Sequence, residues 1–410
     1  MLDVSKIRKD FPMLQKSESE EANLIYFDNA ATTFKPQTVV DAINRYNSKK
    51  TTNIHRGDYA LSYQISEEYE KVRLTVAKFI NADAKEIVFT SGATASLNLV
   101  AFGYGRKFLK QGDVILMSVA EHASNILPWF TTAKSVGAII EYIQLTDEGE
   151  LTISNFRKAM HDGVKVVSVS HVTNVMGFIA PIKQMAKIAH QFKAIICVDG
   201  AQSVPHIMTN VKEWDIDFLS FSAHKMYGPT GVGVLFGKYR LLEEMDALHL
   251  GGGSNARFDI AGNILLKNPP VKFEAGTPAI DAVLGLQKAI DYLDNIGMEE
   301  IEKYEHSLRI YFMEQLVKLP NFHIYNPHAP TGIITFNVEK IFAQDVAVFL
   351  SSKGIAVRAG DHCAKLLVNL LGVSDTVRAS INFYNTKDEI DRFIEACKEI
   401  TLEKCIDLYL

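Results

Sequence analysis

The apolar positions of this chain follow two rhythms. Between about residues 20 and 270, short β-rich runs alternate with stretches of helical spacing. "EIVFT", "DVILMSV", "GAIIEYIQL", "VKVVSVSHV", "AIICVDG", "DFLSFS" and "GVGVLFG" are the strand candidates, and several are almost continuously apolar. A strand with no polar alternation is one covered on both faces, so the pattern predicts an α/β fold built on a mainly parallel seven-stranded sheet. Loops at the C-terminal ends of such strands form a crevice. After "LKNPPVKFEAGTPAI" the rhythm changes. A long helical stretch over about 278–318 precedes "TGIITFNVE", another helix, "GIAVRAG", "VRASINFYN" and a closing helix, as expected of a smaller α+β C-terminal domain. The expected division is an N-terminal segment (1–22) packing with the small domain, a large domain (23–270) and a small domain (271–410). Neither an internal repeat nor a low-complexity linker interrupts this plan.

Composition narrows the class. With 410 residues, 47% of them hydrophobic, the chain can bury more than one core. Its net charge is -5 with acids and bases interspersed, and no basic block points to nucleic acid. The start, "MLDVSKIRKDFPML", is too charged for a signal peptide, and no run of about 18 apolar residues is long enough to span a membrane. Cys197, Cys363, Cys397 and Cys405 form no CxxC pair and no finger-like Cys/His spacing. The expectation is a cytoplasmic protein with reduced thiols, no metal site, and no membrane or nucleic-acid partner.

Three strand candidates end in chemically distinct polar residues. "DVILMSVAEH" delivers His122, "AIICVDGAQ" delivers Asp199 and Gln202, and "DFLSFSAHK" delivers Ser222, His224 and Lys225. Any one of these alone reads as a cap or a satisfied polar group. Strand ends converge in a parallel sheet, so together they can face one ligand. Pyridoxal phosphate accounts for the set: it needs an amine to bind, a carboxylate for its pyridine nitrogen, a flat stacking partner and a phosphate cradle. Lys225 offers the amine, Asp199 the carboxylate and His122 the ring. Ser222 and His224 can donate to phosphate. In "FTSGATASLNLVAFG", Gly92 and Thr94 sit at a strand-to-helix turn that suits phosphate, although such a turn is equally an ordinary helix start.

"YFDNAATTFKP", "TTNIHRGDYALS", "EHASNILPW", "HVTNVMG", "VDGAQSVPH", "SAHKMYGPTGVG", "FEAGTP" and "VRAGDHCAKLL…VRASINFYNT" occur in the order and spacing of the class V aminotransferase-like enzymes. Within that group the chain resembles the group II (SufS/CsdA-type) cysteine desulfurases, over about residues 24–396. The resemblance implies the fold type I of pyridoxal-phosphate-dependent transferases and a homodimer with shared active sites. It also implies removal of sulfur from L-cysteine, giving L-alanine and a persulfide on Cys363 for iron–sulfur cluster assembly or other sulfur transfer. A sulfur-acceptor protein, SufU/SufE-like or a scaffold, would be the partner.

By the same resemblance Lys225 is the Schiff-base lysine, His122 the stacking residue, and Asp199 and Gln202 the contacts to ring nitrogen and phenolic oxygen. Thr94, Ser222 and His224 hold phosphate, with Thr277 reaching in from a second subunit. Asn174 contacts cofactor and substrate; Arg378 binds the substrate carboxylate, with Arg358 close by. His55 and Arg56 lie on a loop directed at the partner's site, though as residues alone they read more readily as loop polars. The chain departs from the family pattern at Ala95, Ala123 and Ser254 and in "CAKLL".

Cys363 decides which class V reaction is expected. Transamination and epimerisation need no thiol, whereas desulfuration needs a nucleophile aimed at sulfur. "AGDHCAK" reads as a polar loop in which Arg358 and His362 are candidate cations for stabilising a thiolate, with Asp361 opposing them. Cys197 sits in an apolar run, and Cys397 and Cys405 on a C-terminal helical stretch, as packing residues do. Selenocysteine lysis is the alternative among enzymes. A scaffold that has lost catalysis would be expected to lack Lys225, Asp199 or His122, and all three are present.

Overall fold

A computed structural model describes residues 2–15 and 24–408 of the chain. Seven strands form the large sheet: β1 (Ile87–Thr90), β2 (Val114–Ser118), β3 (Ile139–Ile143), β4 (Val164–Ser170), β5 (Ile195–Asp199), β6 (Phe218–Ser222) and β7 (Gly233–Gly237). Their order is β1-β7-β6-β5-β4-β2-β3. Only β7 runs against its neighbours β1 and β6; the other pairings are parallel. All seven sequence candidates are therefore strands of one mixed sheet. Their side chains alternate between two cores, as a period of two requires. Leu116, Ile196, Val198, Leu219 and Phe221 join one apolar cluster, while Ile115, Met117, Ile195, Cys197 and Phe218 join the other.

Helices packed on the large sheet include α1 (Ala60–Phe79), α2 (Ala93–Leu99) and α3 (Ala123–Val136). The expected helical stretch near 278–318 is two helices, α4 (Ile280–Ile296) and α5 (Met298–Leu316). Gly297 between them has φ 94, a conformation that ends a helix cheaply only at glycine. The break separates their packing: α4 lies on α1, and α5 lies on α6 (Lys387–Lys398).

A second, four-stranded antiparallel sheet has the order β8 (Phe322–Ile324), β9 (Ile333–Val338), β11 (Thr376–Ser380), β10 (Arg358–Gly360). "GIAVRAG" is not one strand, because it divides at Val357. Ile355–Ala356 pairs in parallel with Ile25–Tyr26, while Arg358–Gly360 joins β11. Residues 25–28 thus run beside the C-terminal elements, and Asp28 bridges to Ser380. The N-terminal segment also reaches them. Arg8 pairs with Glu389 at 2.9 Å, and Phe11 packs its ring on Phe383 and Tyr384. The division drawn at residue 22 lies outside the described residues.

Candidate functional site

A cavity of about 220 Å³ opens at the C-terminal edge of the parallel strands. Asp199 ends β5, Ser170 ends β4, and Ser222 ends β6, which turns at once through Ala223–Lys225 and carries Lys225 to the cavity floor. His122 caps α3, its Nδ1 accepting from the Ser124 N–H at 3.1 Å. From outside the sheet come Thr94, Gln202, Asn174 and His224; the small sheet supplies Arg358 and Arg378, and the loop after Gly360 supplies Cys363. Eleven of the sequence-selected residues therefore line one space. Thr277, His55 and Arg56 do not. They meet elsewhere on the surface, where Thr277 Oγ1 accepts from Asn53 at 3.2 Å and Arg56 donates to the Gly276 carbonyl at 3.2 Å. His55 faces Glu70 at 3.3 Å.

The turn bearing Lys225 is held by "FDNAATT". The hydroxyls of Thr32 and Thr33 donate to the His224 carbonyl at 3.0 and 3.2 Å, and the Tyr227 N–H donates to Thr33 Oγ1 at 2.8 Å. Lys225 Nζ makes no hydrogen bond or ion pair among the described residues. Burial lowers its pKa to about 8, with Asp199 opposing the shift. Asp199 accepts from the Ala201 N–H through one oxygen at 2.9 Å, and burial raises its pKa against the pull of Lys225. A cation above that carboxylate would be stabilised where no protein cation contacts it.

His122 and His224 are both pushed down to about 4, first by burial and then by Lys225. Both rings are neutral at physiological pH, which lets His122 stack on a cationic ring without repulsion. Beneath them, Ser222 Oγ accepts from the Ala93 N–H at 2.7 Å at the start of α2. Gly92 has φ 152 and packs so closely on β7 that a Cβ on Gly233 would lie 2.5 Å from its Cα. The positive φ favours glycine at Gly92 whatever the turn binds, and the close approach excludes a side chain at Gly233.

At the other end, Arg378 is 2% exposed. It donates to the Asn174 carbonyl at 2.8 Å, and its Nη2 stands 3.3 Å from Asp28 Oδ1. Arg378 Nε and Asn174 Oδ1 are buried without partners. Cys363 is the exposed cysteine, whereas Cys197, Cys397 and Cys405 are buried. One expectation needs correction here. His362 supplies no positive field to Cys363, because burial and Arg378 hold its pKa near about 3. The cations that share the cavity with Cys363 are Lys225, Arg358 and Arg378.

Asp28 and Glu121 escaped the sequence reading. Glu121 is fully buried beside His122. Its Oε2 accepts from Asn125 at 2.9 Å and from Ser170 at 2.6 Å, and burial raises its pKa to about 7. An acid closing an apolar run, "VAEH", was the available signal. Among the described residues no group of three His, Cys, Asp or Glu side chains is placed to hold a metal ion, and no helix is long and apolar enough to cross a membrane.

The donor set fits pyridoxal phosphate: an uncommitted amine, a buried carboxylate, a neutral flat ring and a glycine turn with hydroxyls stand around one cavity. Comparison with known proteins agrees in kind. The aminotransferase class V family model matches residues 25–393. A probable cysteine desulfurase of Halalkalibacterium halodurans is 44% identical over 393 residues, covering 95% of this chain and 96% of that protein. The apo structure of a cysteine desulfurase from Thermococcus onnurineus superposes with a TM-score of 0.92 at 39% identity, covering 97% of this chain and 98% of the other. The cysteine desulfurase CsdA of Escherichia coli, in its S-sulfonic acid form, gives 0.90 at 34% identity over 100% and 99%. The chain belongs to the class V aminotransferase family, among its cysteine desulfurases.

Proposed function

We propose that this enzyme uses pyridoxal phosphate to move sulfur from L-cysteine to Cys363, releasing L-alanine. The observation that carries the reading is the shared cavity of Lys225 and Cys363: an amine with depressed pKa and the chain's one exposed thiol face the same 220 Å³ space. The bound cofactor supplies a carbonyl carbon for amines and a protonated ring that draws electrons from the substrate.

The chain's residues do the rest. Lys225 Nζ would hold the cofactor and, as a free amine of depressed pKa, would take the proton from the substrate Cα. Asp199 would keep a proton on the ring nitrogen, Gln202 would hydrogen-bond the phenolic oxygen, and neutral His122 would offer a flat ring to stack on. Thr94, Ser222 and His224 would hold the phosphate, completed in a homodimer by Thr277 of the partner subunit, with the His55–Arg56 loop at the same interface. Arg378 binds the substrate carboxylate beside Asn174 and Arg358. Cys363 Sγ attacks the substrate sulfur. The S–S bond forms as the Cβ–S bond breaks, and protons returned to the carbon skeleton yield alanine. The persulfide sulfur then passes to a thiol of an acceptor protein in the cytoplasm, for iron–sulfur cluster assembly or other sulfur transfer.

A mass measurement tests this reading. Wild-type protein given cysteine without reductant is expected to gain about 32 Da on the Cys363 peptide. Cys363→Ser is expected to keep its cofactor and release almost no alanine. Wild-type rates of alanine release from that variant, with no added mass in the native protein, would overturn the reading. Selenocysteine turnover is expected to survive Cys363→Ser better than cysteine turnover, because selenium leaves more readily without a thiol's help.

A further inference from the structure

Residues 360–364, of which His362 and Cys363 line the cavity, have an unusual conformation. Gly360, His362 and Cys363 all have positive φ, at 125, 51 and 56. Two successive residues with a Cβ in the left-handed region need contacts that hold them there. The loop satisfies its own donors: the Cys363 N–H donates to Asp361 Oδ1 at 3.0 Å and the Ala364 N–H to the Asp361 carbonyl at 2.8 Å. Its carbonyls look outward, to the large unit. Asn174 Nδ2 donates to the His362 carbonyl at 2.7 Å, and the Ala123 N–H donates to the Cys363 carbonyl at 2.7 Å. The His362 ring is buried against Thr376, Nε2 lying 3.0 Å from its Oγ1.

We infer that the Ala123 N–H and the Asn174 amide form a two-point catch that positions Cys363 over the cavity, with Asn174 linking this catch to Arg378. Asn174 is suited to the link because its carbonyl accepts from Arg378 at 2.8 Å while its amide holds the loop. The side that binds the carboxylate and the side that presents the thiol therefore share one residue. The Ala123 contact uses backbone alone, so it does not depend on which side chain stands there. The role assigned to the catch rests on Cys363 being the sulfur acceptor; the catch itself does not.

Ala123→Pro removes this donor cleanly. Ala123 is the first residue of α3, where proline is well tolerated, and His122 at φ -64 and ψ 146 already has the extended backbone that precedes proline. Ala123→Ser keeps the N–H and is the control. In hydrogen exchange followed by mass spectrometry, the peptide covering residues 359–366 of Ala123→Pro is expected to exchange about fivefold faster or more, the scale of one net hydrogen bond. The α3 peptides and Ala123→Ser are expected to match wild type. Alanine formation should lose kcat with KM for cysteine unchanged, a split that general loosening of the fold would not produce. Unchanged exchange in the loop would overturn the proposal. Should Ala123→Pro fail to fold, Asn174→Asp, of equal size but without the donor, is expected to loosen the same peptide, and unchanged exchange there overturns it as well. If the loop loosens as described while the wild-type enzyme forms no alanine from cysteine, the catch stands and the desulfuration reading falls.

Discussion

Asp28 Oδ1 stands 3.3 Å from Arg378 Nη2, joining a residue before the large sheet to one in the small sheet. Arg378 is almost wholly buried, and burial lowers its pKa to about 10 even with Asp28 opposing. Removing one member of such a pair strands a buried charge. Asp28→Ala is expected to lower stability by about 2 kcal/mol, less than for a fully enclosed pair because Asp28 keeps some solvent contact. Urea unfolding measures it. A midpoint unchanged from wild type would show that Arg378 does not need this carboxylate.

Lys225 is expected to be the only covalent anchor of the cofactor. Borohydride reduction of the wild-type protein should leave the cofactor's mass on the Lys225 peptide. Lys225→Ala should show neither that mass nor turnover. Asp199→Ala should retain cofactor yet lose at least about tenfold in rate, equivalent to ~1.4 kcal/mol of barrier. A smaller loss would mean that the ring nitrogen is not held by Asp199.

Thr277, His55 and Arg56 lie away from the cavity of their own chain, near one another. If they complete a partner's site, two defects on different subunits should complement. Mixing Lys225→Ala with the inactive double variant Arg56→Ala, Thr277→Ala is expected to restore activity through hybrid dimers that have one intact site. No restored turnover, with hybrids verified by native mass spectrometry, would place these residues outside catalysis.

Glu121 gives a pH-dependent stability. Its carboxyl sits near about 7 in the fold against an ordinary 4.5, because it is desolvated. Between these pH values the folded state keeps a proton that the unfolded chain releases, so this group opposes folding increasingly as pH rises. Glutamine cannot ionise and can still accept from Asn125 and Ser170. Glu121→Gln is expected to match wild type near pH 4.5 and to exceed it at pH 8, by on the order of 2 kcal/mol. Equal unfolding midpoints at pH 8 would mean that Glu121 ionises freely in the fold.

The seven large-sheet strands were legible because each is a local apolar run, and strand geometry carries their ends to one edge wherever the helices between them lie. That is why Lys225, Asp199 and His122, far apart in the chain, could be placed in one site from residue type and position alone. Folding decided what local patterns do not contain. "GIAVRAG" parts at Val357 because Ile355–Ala356 finds Ile25–Tyr26, a partner about 330 residues away in sequence. His362 binds its proton more weakly and Glu121 more tightly because both are desolvated, and desolvation depends on everything packed around a group rather than on its neighbours in the chain. The pairing of Asp28 with Arg378, and of the Ala123 N–H with the Cys363 carbonyl, likewise exists only once segments distant in the chain meet. Residue types set the chemistry available to this protein, whereas tertiary packing set which groups carry charge and where the thiol is held.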